Sequence, residues 1–168
     1  VQGQFHVSAD PHVVVTTTLG SCIACCIYDP VNRVGGMNHF LLPDSANLGD
    51  SPTRYGAYAM EKLINDLLKK GAQKNRLEVK VFGGGNVIKS SAMIGDKNVA
   101  FIKEYLKAEG IKIAQQDLGG LSPRRIHYYP DTGKVMMRKL QKEEDRKNIE
   151  KEESIYQSAV SIKADKGA

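Results

Sequence analysis

Apolar and β-branched positions fall in short runs toward both ends of the chain and in one-sided stripes in its middle. His12 to Thr18 is rich in Val and Thr and reads as a strand. Leu19-Gly20-Ser21 interrupts the pattern, and Cys22 to Tyr28 is apolar again. Asp29-Pro30 turns the chain, Asn32 and Gly35-Gly36 mark the next bend, and Met37 to Leu42 forms a further apolar segment that Pro43-Asp44 stops. Ser45 to Asp50 is small and polar, as an exposed loop would be. Met60, Leu63, Ile64, Leu67 and Leu68 then recur at the spacing of a helix face, and Lys69-Lys70-Gly71 supplies a C-terminal signal. Leu77 to Phe82 alternates like a strand and ends at Gly83-Gly84-Gly85. A second helix is predicted from about Asp96 to Glu109, with Val99, Ile102, Tyr105 and Leu106 on one face and Gly110 after it. Ile111 to Asp117 reads as a strand, and Arg125 to Tyr129 with Lys134 to Leu140 reads as a hairpin about Pro130-Asp131-Thr132-Gly133.

The order β-β-β-α-β-α-β-β-β clusters strands at both ends. It argues for a mixed α/β or α+β domain with a partly antiparallel sheet, and against a doubly wound parallel fold. The composition shifts after Leu140. Residues 1–140 are expected to form one domain and 141–168 a charged tail, helical on the surface near its start and disordered near its end.

The 168 residues suit one domain, and 41% hydrophobic with 26% charged residues is ordinary for a globular protein. The net charge of +5 is mild and favours an acidic protein partner. Its Lys and Arg are dispersed, with no basic stripe interleaved with aromatics, so nucleic acid is not an expected partner. No apolar run approaches a bilayer span, and Val1 to Asp10 lacks the layout of a signal peptide, so membrane insertion is not expected. The only cysteines, Cys22, Cys25 and Cys26, are too crowded and too few for a disulfide framework, which points to a reducing cytoplasm.

Three chemistries compete for the cysteine cluster. A redox Cys-x-x-Cys needs its thiols side by side, but strand geometry sends Cys22 and Cys25 to opposite faces. A structural zinc needs a second ligand pair, and none is present. A nucleophile is the third: Cys22 follows the tight Leu19-Gly20-Ser21 turn, where successive backbone N–H groups can point at a developing oxyanion. Cys25 and Cys26 read as small buried hydrophobes, and on residue type alone so does Cys22. If Met37 to Leu42 pairs with the Cys22 strand through the Asp29-Pro30 turn, His39 meets Cys22 at one end of the sheet and can exchange its proton. A hydrogen-bonded core histidine is the bland alternative. Thr16, Thr17 and Thr18 could each orient the ring, and spacing alone does not choose among them. His6, His12 and His127 read as structural or surface groups. Gly83-Gly84-Gly85 lacks the features of a phosphate loop and reads as a tight turn or a close backbone approach beside the site.

Thr16 to Cys22, Tyr28-Asp29-Pro30 and Gly36-Met37-Asn38-His39-Phe40-Leu41-Leu42-Pro43 together resemble the CheD family, the chemoreceptor glutamine deamidases of bacterial chemotaxis. The likeness continues through Tyr55-Gly56, Phe82-Gly83-Gly84-Gly85, Asp117-Leu118-Gly119-Gly120, Arg124 and Thr132-Gly133-Lys134. It implies a Cys–His–Thr site on layered β-sheets packed with helices, a fold shared with certain bacterial toxin deamidases. Cys22 takes the place of the nucleophile, His39 of the base and Thr16 of the orienting hydroxyl. Gly20, Ser21 and Asn38 fall on the oxyanion and substrate side. The implied reaction converts receptor glutamine to glutamate through a Cys22 thioester, with no cofactor or metal. The implied partners are chemoreceptor helices and a CheC-type phosphatase, and the alternative role is that of a non-catalytic regulator of either.

Overall fold

The computed structural model describes residues 4–42, 52–87, 93–141, 148–149, 151–153 and 155. The expected loop at 45–50 lies outside them. The strands are β1 (Phe5–Ser8), β2 (Val15–Leu19), β3 (Ile23–Asp29), β4 (Val34–Phe40), β5 (Glu78–Gly83), β6 (Ile113–Leu118), β7 (Arg124–Tyr129) and β8 (Lys134–Lys139). The helices are α1 (Pro52–Lys69) and α2 (Ile94–Ala108), with a short 3-10 turn at Lys74–Arg76. Pro52 opens α1, where its missing N–H removes no helical bond.

Two sheets form. One has the order β1-β4-β3-β5-β6 and the other β2-β7-β8. Among the described residues only β5 and β6 run parallel, so the architecture is mixed α/β. The five-stranded sheet lies between the helices and the three-stranded sheet, which explains why β3 is apolar on both faces. Ile23, Cys25 and Ile27 pack with Met60, Leu63, Leu67, Ile102 and Leu106 on the helix side. Cys22, Ala24 and Cys26 pack with Leu19, Ile126 and Tyr128 on the sheet side. Each large side chain fully withdrawn from water here contributes about 2 kcal/mol.

The strand not anticipated is β1, which pairs with the edge of β4. Its four residues carry one buried side chain, Val7, too little for a periodic signal. The apolar stripe of α1 faces inward, although Leu68 at its margin is 39% exposed. Residues 148–149, 151–153 and 155 are helical. They are not simply a surface helix, because Ile149 and Glu153 are buried. Among the described residues no helix is long and apolar enough to cross a membrane.

Candidate active site

Residues 20–22 carry the chain from β2 in one sheet to β3 in the other. The glycine run after β5 pins this crossing: Gly84 N–H donates to Cys22 O at 2.9 Å and Gly85 N–H to Gly20 O at 2.9 Å. Gly83 has φ +111°, and a Cβ there would lie 2.1 Å from Cys22 O, so only glycine permits the approach. Asn98 of α2 takes the remaining carbonyl, donating to Ser21 O at 2.7 Å while accepting from Leu42 N–H at 3.0 Å. It therefore ties the Cys22 turn to the end of β4. Arg124, itself buried, holds the glycine run by donating to Gly83 O and Gly119 O and pairing with Asp117.

With all three carbonyls engaged, the three N–H groups converge elsewhere. Gly20 and Cys22 N–H donate to Glu153 Oε1 at 2.9 and 3.1 Å. Ser21 N–H and Ser21 Oγ donate to Glu153 Oε2 at 2.9 and 2.5 Å. Such a nest of successive amides is an anion site, and one beside a thiol can stabilise the oxyanion of an acyl intermediate.

His39 pairs with Ala24 across the β3–β4 hairpin, and Cys22 precedes Ala24 by two positions. Thiol and imidazole thus share the inter-sheet face as diagonal neighbours, a relation that places residues about 7–8 Å apart. His39 Nδ1 lies 2.7 Å from Thr17 Oγ1, and Nε2 is buried with no hydrogen-bond partner among the described residues. Burial pushes the Cys22 thiol well above its ordinary value, and the Glu153 carboxylate pushes it further. Burial lowers His39 from 6.5 to about 3. Both groups are therefore neutral, in a closed site where Cys22 is inaccessible to solvent.

Two expected placements are corrected. Thr16 does not reach His39; its Oγ1 lies 3.4 Å from His127 Nδ1 on the outer face of β2. Side chains alternate along a strand, so Thr17 points inward with Val15 and Leu19, and the hydroxyl on His39 is that of Thr17. Asn38 is adjacent to His39 and by the same alternation faces α1, where it bonds Cys25 N–H and Met60 Sδ. It is not on the Cys22 side. Gly20, Ser21, Cys22 and His39 are brought together. Glu153 and Asn98 join them, and residue patterning had singled out neither. His6 lies in β1, His12 in an exposed turn and His127 in β7, all away from Cys22.

A cavity of about 380 Å³ between β1, β4 and α1 is lined by Gln4, Phe5, Asn38, His39, Tyr55 and Lys62 among others, and it does not include Cys22. Among the described residues no group of three or more His, Cys, Asp or Glu side chains could hold a metal ion. The chemistry on offer is that of a thiol, an imidazole whose Nε2 has no partner among the described residues, and an amide nest: nucleophilic acyl transfer.

A family model described as CheD chemotactic sensory transduction matches residues 41–139. Curated relatives extend the similarity to the N-terminal side. A protein of Caulobacter sp. (strain K31), named probable chemoreceptor glutamine deamidase CheD, is 55% identical over 139 residues, covering 82% of this chain and 74% of its own. One of the same name from Rhodopseudomonas palustris (strain BisA53) is 47% identical over 164 residues, 95% of this chain and 76% of its own. That match leaves too few residues outside it to miss Cys22, His39 or Glu153. A third, from Stenotrophomonas maltophilia (strain K279a), is 54% identical over 134 residues, 78% and 67% of the two chains.

Proposed function

The chain belongs to the CheD family, and from that premise we propose that it is a protein-glutamine glutaminase that hydrolyses glutamine side-chain amides of chemoreceptors to glutamate, with Cys22 as nucleophile. With Nδ1–H donating to Thr17 Oγ1, His39 presents a lone pair at Nε2 and can take the Cys22 proton. The thiolate attacks the carboxamide carbon, and the oxyanion forms where the Gly20 and Cys22 N–H groups converge. Collapse of the intermediate expels ammonia, protonated by the imidazolium, and leaves a thioester. His39 then deprotonates a water that attacks the thioester. Thiol and glutamate carboxylate are the products. The amide nest beside the sulfur is the observation that carries this reading.

Each turnover adds a negative charge to a receptor helix and alters its repulsion from neighbouring helices. Such helices are cytoplasmic, which assigns the protein to that compartment. A CheC-type phosphatase is a second partner in this proposal, as a regulator that binds the folded domain.

The test is mass spectrometry of a purified chemoreceptor cytoplasmic domain after incubation with the protein. Each converted glutamine gains roughly one dalton, because OH replaces NH₂. Cys22→Ala abolishes the gain, and undiminished conversion by that variant rejects Cys22 as nucleophile.

A further inference from the structure

The group held by the amide nest is a glutamate side chain of the same chain, and glutamate is what hydrolysis of a glutamine leaves behind. Glu153 is 1% exposed, and its Oε1 accepts from both Gly20 and Cys22 N–H, the position assigned above to the oxyanion. The residue is presented from helical backbone. Ile149, one turn earlier on the same face, is the other anchor: a Cβ on Gly20 would lie 2.7 Å from Ile149 Cγ2 and 2.8 Å from Glu153 Oε1. Lys151, Glu152 and Ile155 around them are exposed. Two side chains, four positions apart, therefore seat this segment on the Cys22 turn.

We infer that Ile149 and Glu153 form a tethered product analogue: they fill the glutamine site, hold the enzyme at rest, and mark the site as one that takes its carboxamide from a helix with an aliphatic residue one turn before it. The inference rests on the deamidase reading. The same contact keeps the thiol neutral, since Glu153 adds its charge to the burial that raises Cys22. A receptor helix must displace the segment, and its departure both opens the nest and removes the anion beside the sulfur.

Glu153→Gln is the decisive variant, because it places an uncharged carboxamide of the same shape on the nest. In the purified full chain, position 153 is expected to gain roughly one dalton at a rate independent of protein concentration, and not at all when combined with Cys22→Ala. Glu153→Ala is expected to raise Cys22 alkylation by iodoacetamide, and kcat/KM on the receptor domain, by about tenfold each, from loss of the intramolecular competitor. A Glu153→Gln protein that deamidates the receptor domain but never converts its own position 153 overturns the inference. So does a Glu153→Ala protein with unchanged alkylation. If no variant deamidates the receptor, the deamidase reading fails instead, and the alkylation comparison still decides whether Glu153 closes the site.

Discussion

Two buried carboxylates sit at opposite ends of β3, and both collect backbone N–H groups. Asp29, at the C-terminal end, accepts from Val31, Asn32 and Gln73 N–H and is paired with Arg76 at 2.8 Å. Glu153, at the N-terminal end, accepts from Gly20, Ser21 and Cys22 N–H and the Ser21 hydroxyl, and among the described residues no lysine or arginine pairs with it. Burial raises the Asp29 carboxyl, but Arg76 and the three amides outweigh it and hold the group at about 2. Asp29 is bound into its own turn with a counter-charge, so it is structural. Glu153 arrives from a segment more than a hundred residues away and has only neutral donors, so it is held as a ligand is held. A buried charge without a cation costs several kcal/mol of hydration that its hydrogen bonds only partly offset, and a site meant to release its occupant needs that narrow margin.

If the two ends divide the labour in this way, variants at each should fail differently. The largest effect belongs to the Glu153 end: Cys22→Ala lowers receptor deamidation by at least about ten-thousand-fold and leaves the thermal midpoint close to that of the unmodified protein. Asp29→Ala does the reverse. It strands Arg76 and three N–H groups, costing about 3 kcal/mol and lowering Tm by about 10 °C, while the folded fraction keeps its kcat. Parallel calorimetry and mass-spectrometric rates separate the two, and equal loss of activity at both ends would erase the distinction.

Acid should distinguish the ends next. His39 has its folded value lowered from 6.5 to about 3, so between those values the unfolded chain binds the extra proton and stability falls as pH falls. The slope from this one group is at most about 1.4 kcal/mol per pH unit. Asp29 contributes stability that is complete above 3.8 and is lost only as pH falls toward 2. Urea unfolding of His39→Asn should therefore flatten the stability profile between pH 6 and about 4, whereas Asp29→Asn lowers stability by a constant amount above about pH 4 and changes the slope only below it. A His39→Asn profile as steep as that of the parent protein would mean that another group governs acid loss.

The division between ends was only half legible in the chain. The β3–β4 hairpin was readable because Asp29-Pro30 separates two apolar runs, and α1 because its stripe has one period. Cys22 and His39 could be placed on neighbouring strands from those signals alone. Thr17 was readable in principle: Leu19 is apolar and must face inward, so the residue two before it does too. The family likeness points to Thr16, whereas strand parity points to Thr17. Asn38 borders His39 in the chain, but strand alternation turns its side chain to the opposite face of the sheet, toward Met60. Glu153 left no trace, because it lies in a run of mixed charges that reads as solvated, and its partners are brought to it only by tertiary folding.

The smallest predicted effect tests the parity argument directly. Thr17 Oγ1 and His39 Nδ1 share one neutral hydrogen bond at 2.7 Å, buried in the inter-sheet layer. Such a bond is worth about 1–1.5 kcal/mol, which corresponds to roughly tenfold in rate if it serves to keep the imidazole turned toward the sulfur. Thr17→Val keeps the volume and the β-branch, so packing is disturbed little, and kcat should fall about tenfold with KM for the receptor domain unchanged. Thr16→Val removes only the exposed 3.4 Å contact to His127 and should leave both constants where they were. Thr17→Ser, which keeps the hydroxyl, should restore most of the rate. If instead Thr16→Val is the slower variant, the inward face of β2 has been misassigned, and the ring of His39 must be oriented through a strand register different from the one that pairs Thr17 with Ile126.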